Sequence, residues 1–183
     1  MNKPIPLVLL LVAILTGGLA VKDVSAASDD ERVKALFIYN FANFVEWPAS
    51  AFGKPEDDLR LCLFGKVSFG ALLDAVDGTP IGNHVLTIIR TSRLEDIASG
   101  CHMLFVSQAQ RIRLPHFFTK IRYMYVLSIG EKLGFDEKGG IINIVRTSDR
   151  MQFDINLSTA MANGLFVSSD LLSLAREVKR LDP

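Results

Sequence analysis

The stretch DDERVKALFIYNFANFVEWP, residues 29–48, decides how we expect the rest of the chain to fold. Its apolar side chains recur every three or four residues, which predicts a helix of about four to five turns. Ser28 is a suitable N-cap, and the Trp47-Pro48 pair should end the helix because a residue before proline favours extended backbone. The predicted buried stripe consists of Val33, Leu36, Phe37, Asn40, Phe41, Phe44 and Val45.

A stripe this rich in phenylalanine must be covered by other parts of the protein. We therefore expect a core helix that packs on a sheet, because aromatic stripes usually serve packing. Tyr39 and Trp47 fall off the main stripe. The sequence leaves open the alternative that one of these two side chains forms the wall of a ligand pocket.

The N-terminus has the pattern of an export signal. Lys3 precedes a long apolar run, and Val24-Ser25-Ala26 is a small-x-small cleavage pattern, so we interpret residues 1–26 as a secretory signal peptide. Residues 27–183 are then enough for one domain with a sizeable core and too few for two. An uncleaved membrane anchor over residues 5–21 is the competing interpretation.

The charge balance argues against nucleic acid as a partner. The whole chain has 20 basic and 20 acidic side chains; residues 1–26 contain Lys3, Lys22 and Asp23, which leaves 18 and 19 and a formal charge of −1. A nucleic-acid-binding domain would carry a basic excess.

The chain contains two cysteines, Cys62 and Cys101. In an exported protein such a pair is expected to form a disulfide, which would stabilise the fold by roughly 4 kcal/mol in the chain-entropy model. A metal site is not indicated, because His84, His102 and His116 show no ligand spacing with either cysteine. A redox-active pair is also poorly supported, since there is no C-x-x-C motif.

Short apolar runs alternate with helical segments along the middle of the chain. This alternation predicts an α/β fold, a three-layer sandwich with a mostly parallel sheet and helices on both faces. The expected strands are residues 59–65, 84–90, 102–107 and 123–129, and the expected helices lie within residues 68–76, 94–98 and 110–121.

The C-terminal part should close the sheet differently. Two β-rich runs, residues 141–146 and 151–156, flank a four-residue turn and predict an antiparallel hairpin at one edge of the sheet. A short helix should follow over residues 157–163. An amphipathic helix is expected over residues 169–180, with Leu171, Leu174, Ala175 and Val178 on its apolar stripe.

Three features are candidates for a binding site. Residues 65–70, GKVSFG, lie between a predicted strand and helix, which leaves open an anion site or a plain turn capped by Ser68. Asp154 and Asn156 share one face of the last hairpin strand, where either capping or ligand contact is open. The glycine-bracketed loop 134–140 permits tight turns, or closure over a small molecule.

These features indicate no enzyme. The G-x-S-x-G and H-E-x-x-H patterns of hydrolases are absent, and no carboxylate dyad is apparent. No metal ion or cofactor is indicated.

Taken together, several segments resemble the YfiR family of exported bacterial proteins. The resemblance rests on VKALFIYNFANFVEWP, LRLCLFG, GCHMLFVS, GFDEKGGIINIV, FDIN and GLFVSSDLLSLA, in this order. It implies a single YfiR-like α/β domain in the periplasm, often a homodimer, that restrains an inner-membrane diguanylate cyclase until an outer-membrane lipoprotein relieves the restraint. It also implies a disulfide between Cys62 and Cys101.

Two alternative functions are therefore expected. The first is a periplasmic repressor that binds the sensor part of a membrane diguanylate cyclase and thereby modulates cyclic di-GMP signalling. The second is a periplasmic receptor for an aromatic or nucleotide-like small molecule. For such a ligand the resemblance implicates Asp154, Phe166 and Ser168, and the strand pattern adds Asn156.

Overall fold

The computed structural model describes residues 27–180, and the predicted signal peptide lies outside these residues. The chain forms an α/β sandwich around an eight-stranded sheet, with a separate two-stranded ribbon. The helices are α1 (Asp29–Phe44), α2 (Gly70–Asp74), α3 (Leu94–Ala98), α4 (Leu114–Ile121), α5 (Leu157–Ala162) and α6 (Ser169–Leu174). The strands are β1 (Val45–Glu46), β2 (Leu59–Phe64), β3 (Pro80–Ile81), β4 (His84–Thr91), β5 (Met103–Val106), β6 (Leu127–Gly130), β7 (Ile142–Arg146), β8 (Met151–Asn156), β9 (Phe166–Val167) and β10 (Glu177–Lys179).

The sheet is mostly parallel, which confirms the predicted fold class. Its order is β10-β8-β7-β6-β5-β2-β4-β3, and the strands from β7 through β4 in this order run parallel to one another. The predicted hairpin is β7 and β8, paired antiparallel from Ile142 opposite Ile155 to Arg146 opposite Met151. The hairpin does not form the edge of the sheet as expected, because β10 pairs parallel with β8 outside it.

Alternation along the central strands divides the core between the two faces of the sheet. On β2, Leu59, Leu61 and Leu63 belong to the cluster that α1, α2 and α6 cover. Cys62 and Phe64 point to the other face, where α3 and α4 cover them. This arrangement follows from the two-residue period of a strand, and burial on both faces explains why the central strand β5 contains only apolar residues.

Helix α1 begins as predicted but ends earlier and buries a different face. Ser28 forms a capping box with Glu31, which satisfies two backbone donors at the helix start. The helix ends at Phe44 instead of Trp47, because Val45 and Glu46 pair with β9. The fully buried residues are Ala35, Ile38, Phe41 and Ala42, whereas Leu36 is 58 % exposed.

The predicted stripe on α1 was therefore only partly right. Phe37 and Phe44 do pack against the core, and Phe37 and Phe41 both meet Phe153 edge to face at about 5 Å. Ala35 and Ala42 are small enough to lie directly over the sheet, which turns Leu36 outwards. Apolar residues cover most of this helix's circumference, so spacing alone could not select the buried face.

The predicted C-terminal helix over residues 169–180 is wrong in its second half. Helix α6 ends at Leu174, which is 65 % exposed, and residues Glu177–Lys179 run as strand β10 beside β8. The edge of β8 offers unpaired backbone groups that a strand can satisfy and a helix cannot. Arg176 begins this pairing by donating its backbone N–H to the carbonyl of Phe153.

Candidate functional site

The two cysteines are joined in a disulfide at the centre of the sheet. Cys62 lies in β2 and Cys101 lies two residues before the neighbouring strand β5, with their Cα atoms 5.8 Å apart. Both residues are buried, and α3 and α4 cover them. The bond therefore ties two strands that the fold already places side by side.

The structure places the four predicted ligand residues in separate local contacts. Asn156 caps α5, because its Oδ1 accepts the backbone N–H of Thr159 at 2.9 Å. Ser168 caps α6 by accepting the N–H of Leu171 at 3.2 Å. Phe166 lies on the β1–β9 ribbon with 70 % of its surface exposed. Their role in ligand binding stays a prediction.

Asp154 is buried and forms an ion pair with a cation that reaches the surface. Its side chain is 3 % exposed, and the guanidinium of Arg176 contacts both carboxylate oxygens, with Nε donating to Oδ1 at 2.7 Å. The hydrogen bond to Asp154 raises the pKa of Arg176 above its ordinary value. A two-point contact between a guanidinium and a carboxylate fixes geometry as well as charge. Asp154 therefore anchors the segment that leads into β10.

A second buried carboxylate, Asp136, lies beside this pair. Its side chain is 1 % exposed; Oδ2 contacts Lys179 Nζ at 2.8 Å, and Oδ1 accepts from the side-chain amide of Asn143 at 3.3 Å. Lys179 also contacts Glu137 at 2.9 Å. These partners raise the pKa of Lys179, with the hydrogen bond to Asp136 as the largest cause. Both buried carboxylates are thus matched by cations from the C-terminal segment.

We call Asp136, Asn143, Asp154, Arg176 and Lys179 the ionic cluster. Its charges neutralise each other, and neither carboxylate is left as the free group that general base catalysis would need. Sequence reasoning missed Arg176 and Lys179 because their three-residue spacing also fits the last turn of a helix, which is where we expected them. No local pattern pairs them with strands β7 and β8.

The loop between β6 and β7 is closed by one aromatic ring. Phe135 is fully buried, and its ring lies where side chains at Gly130 and Gly140 would otherwise be. Phe118 of α4 meets the same ring edge to face at 5.2 Å. Gly130 and Gly140 thus permit close packing of a ring. This packing places Asp136 of the ionic cluster next to the sheet.

Trp47 connects the first helix to two distant backbone segments. Its indole N–H donates to the carbonyls of Tyr125 at 2.9 Å and His102 at 3.2 Å. The imidazole of His102 is itself held at both nitrogens: Nδ1 accepts from the N–H of Arg60, and Nε2 donates to the carbonyl of Ala51. Burial lowers the pKa of His102, which keeps the ring neutral.

The alternative that Trp47 lines a pocket has some structural basis. The indole borders a cleft of about 530 Å³ together with Phe52 and His84, whose rings stack at 3.9 Å. Tyr39, the other candidate, borders a shallow apolar groove of about 250 Å³ between α1 and α2. Ligand contact by either residue stays a prediction.

The turn over residues 65–70 has a different cap from the one expected. Helix α2 begins at Gly70 with Phe69 at the N-cap position and no side-chain capping bond, so the expectation that Ser68 caps it is wrong. The guanidinium of Arg90 contacts the carbonyl of Gly70 at 3.1 Å and also pairs with Asp74. A helix of five residues offers little dipole for an anion.

Two features that bear on function are absent from residues 27–180. Within that range, no three His, Cys, Asp or Glu side chains are grouped so that they could hold a metal ion. Over the same range, no helix has the length and apolar character needed to cross a membrane.

Comparison with known proteins identifies the family. A family model described as YfiR/HmsC-like matches residues 31–176, which is most of the chain. This span includes both cysteines, the β6–β7 loop, Asp154 and Arg176. The chain belongs to the YfiR/HmsC-like family. The resemblance expected from the sequence is confirmed.

Solved structures similar to this YfiR/HmsC-like chain are distant. A conserved domain protein from Vibrio cholerae has a TM-score of 0.50 and 11 % identity, over 83 % of this chain and 60 % of that one. An ABC domain from Streptococcus pneumoniae in complex with L-Trp has a TM-score of 0.46 and 12 % identity, over 68 % of this chain and 55 % of that one. The chain thus spans little more than half the length of either protein, and the likeness to the first concerns fold alone.

Proposed function

We propose that this protein is a periplasmic regulator that binds the sensor part of an inner-membrane diguanylate cyclase and holds the enzyme inactive. The observation that carries the proposal is the YfiR/HmsC-like match over residues 31–176. The proposal includes residues 1–26 as a cleaved signal peptide and residues 27–183 as one domain. It also includes a homodimer and release of the cyclase by an outer-membrane lipoprotein.

Two properties of the fold support regulation by contact. The disulfide between Cys62 and Cys101 suits a protein that works in an oxidising compartment. In the ionic cluster, Asp136 and Asp154 are neutralised by Lys179 and Arg176. A domain held this way presents a defined surface, and neither of these two buried carboxylates is free to act as an acid or base. The proposal accordingly assigns no catalytic role.

Repression requires that the protein bind the inactive cyclase better than the active one. A ligand shifts an equilibrium only by its differential affinity for the two states. To change the inactive population from about 1 % to about 99 %, this difference must be about 10⁴-fold. The surface that contacts the cyclase must therefore discriminate between two conformations of the sensor.

Deletion of the gene in a strain with an intact cyclase tests this proposal. We expect cellular cyclic di-GMP to rise, and to return to its original level when the wild-type gene is restored. The matched control carries the same deletion together with an inactivated cyclase, in which the level should not change. An unchanged cyclic di-GMP level in the first strain would contradict the proposal.

The second function, a receptor for an aromatic or nucleotide-like molecule at Asp154, Asn156, Phe166 and Ser168, has less support. Three of these four side chains already have partners, so a ligand would have to replace the Asp154–Arg176 pair or a helix cap. Thermal shift with L-tryptophan and with nucleotides tests it, because a ligand that binds the folded state raises the melting temperature. A shift that Phe166→Ala removes would favour the receptor function.

A further inference from the structure

A cleft of about 410 Å³ lies between α4, α5 and the β6–β7 loop, apart from the four predicted ligand residues. Its volume is within the range of about 300–1,000 Å³ that is typical of small-molecule sites. Phe118, Ile121 and Val126 contribute apolar surface to its wall. Thr159 and Asn163 of the α5 region add polar groups. The wall thus suits a small molecule that is mostly apolar.

Two cations, Arg122 and Lys138, line this cleft, and neither has a carboxylate partner among residues 27–180. Arg122 lies over the ring of Tyr123, with its guanidinium carbon 4.8 Å from the ring centre. Lys138 donates to the carbonyl of Leu133 at 2.8 Å. Glu137 also lines the cleft, but it is paired with Lys179 at 2.9 Å. Because Lys179 is shared between Asp136 and Glu137, the two cations and one carboxylate of the lining leave a formal net charge of +1 next to an apolar wall.

The backbone beside the cleft is held in a costly conformation. Tyr123 and Tyr125 have positive φ angles of 65° and 56°, which bulky residues adopt rarely. Such a conformation costs of the order of 1–3 kcal/mol per residue and persists only where surrounding contacts impose it. Here Asn163 accepts the N–H of Tyr123 at 3.1 Å, and Trp47 donates to the carbonyl of Tyr125.

This conformation positions two residues of the cleft. Arg122 directly precedes the first strained residue, and Val126 directly follows the second. Asn163, which holds the strained turn, lines the same cleft. Strained backbone of this kind clusters at ligand sites, where it presents side chains in fixed positions. The turn thus supplies one cation and part of the apolar wall together.

We propose that this cleft binds a small molecule with an apolar body and one anionic head group, and that Arg122 and Lys138 contact the head. A carboxylate or phosphate head would form charge-assisted hydrogen bonds with these two donors. A cleft of about 410 Å³ accommodates a single-chain or single-ring molecule, so a free metabolite is the source that we assign, not a membrane lipid. This site is independent of the proposed contact with a cyclase.

Calorimetric titration of the purified protein with octyl phosphate tests this site. We expect saturable binding of octyl phosphate and much weaker binding of octanol, which has the same chain without the charge. Arg122→Gln and Lys138→Gln should each weaken binding about tenfold, because each removes a charge-assisted hydrogen bond. Arg111→Gln, at an exposed cation that does not line the cleft, is the matched control and should not change affinity.

A second variant tests the apolar wall of the cleft. Ala162 is exposed and lines the cleft, so Ala162→Trp should fold and should abolish binding by filling the space. Equal affinity in the wild type and in the Arg122→Gln, Lys138→Gln double variant would overturn the proposal. Absence of octyl phosphate binding, or retention on phosphatidylglycerol vesicles in its place, would also overturn it. Because no cyclase is present, these results leave the regulatory proposal untouched.

Discussion

Removal of the disulfide should lower the free energy of unfolding of this protein by at least as much as the other changes that we consider. We consider the double variant Cys62→Ala, Cys101→Ala, because alanine leaves no buried hydroxyl without a partner, as serine would. The bond spans a sequence separation of 39 residues. A loop of this length corresponds to roughly 4 kcal/mol of lost chain entropy in the unfolded state. Loss of the two buried sulfurs adds a small packing term.

Urea unfolding of the wild type and the double variant measures this loss. For a slope of about 2 kcal/mol per molar urea, a change of about 4 kcal/mol lowers the midpoint by about 2 M. The wild type measured in a reducing agent is the control, and it should approach the midpoint of the variant. A decrease of less than about 1 kcal/mol with an unchanged slope would refute the argument that this bond stabilises the fold by restricting the unfolded chain.

Three further predictions concern buried groups. Burial lowers the pKa of His102 in the folded state, so below about pH 6.5 the unfolded chain gains this proton more readily than the folded protein. The free energy of unfolding should therefore fall on acidification by up to about 1.4 kcal/mol per pH unit. In urea unfolding at several pH values, His102→Gln should show a weaker dependence of this free energy on pH. Lys179→Met leaves buried Asp136 without its cation and should lower the free energy of unfolding by about 2–3 kcal/mol, less than for a fully buried pair because Lys179 is partly exposed. Adding Asp136→Asn should restore most of this loss. A double variant that is no more stable than Lys179→Met would contradict this prediction. Gly130→Ala places a methyl group against the ring of Phe135 and should cost about 2–3 kcal/mol in thermal unfolding, yet almost nothing further in a Phe135→Ala background. Strictly additive losses would argue against this contact.

Most of the secondary structure could be predicted because its signals are local. The strand β2 and the helix α3 lie where the apolar runs and turn residues predict them. The N-cap of α1 at Ser28 and the β7–β8 hairpin were also readable from a few adjacent residues. In each case the deciding interaction joins residues that are close in the chain, or depends only on the pattern of burial.

The candidate sites could be predicted less well because their members come from distant parts of the chain. Asp154 and Asn156 were recognised as a polar pair on one strand, and the capping alternative holds for Asn156, which caps the helix directly after it. The partner of Asp154, Arg176, lies 22 residues along the chain and depends on the fold. The sequence did not indicate Arg122 as a candidate site residue. Its position in a cleft follows from the strained turn at Tyr123, for which no residue of the type that favours positive φ, such as glycine, stands in the sequence.

The amino-acid sequence by itself determined the central alternation of strands and helices and the mostly parallel sheet, since these follow from periodicity and turn chemistry, and the resemblance of its segments indicated the family. Only the tertiary structure decided which face of α1 is buried and that residues 177–179 form a strand. The physical reason is that local preferences barely distinguish one face of α1 from another, or a helix from a strand at residues 177–179. At residues 177–179 the strand is favoured by the unpaired edge of β8 and by the buried charges of Asp136 and Asp154.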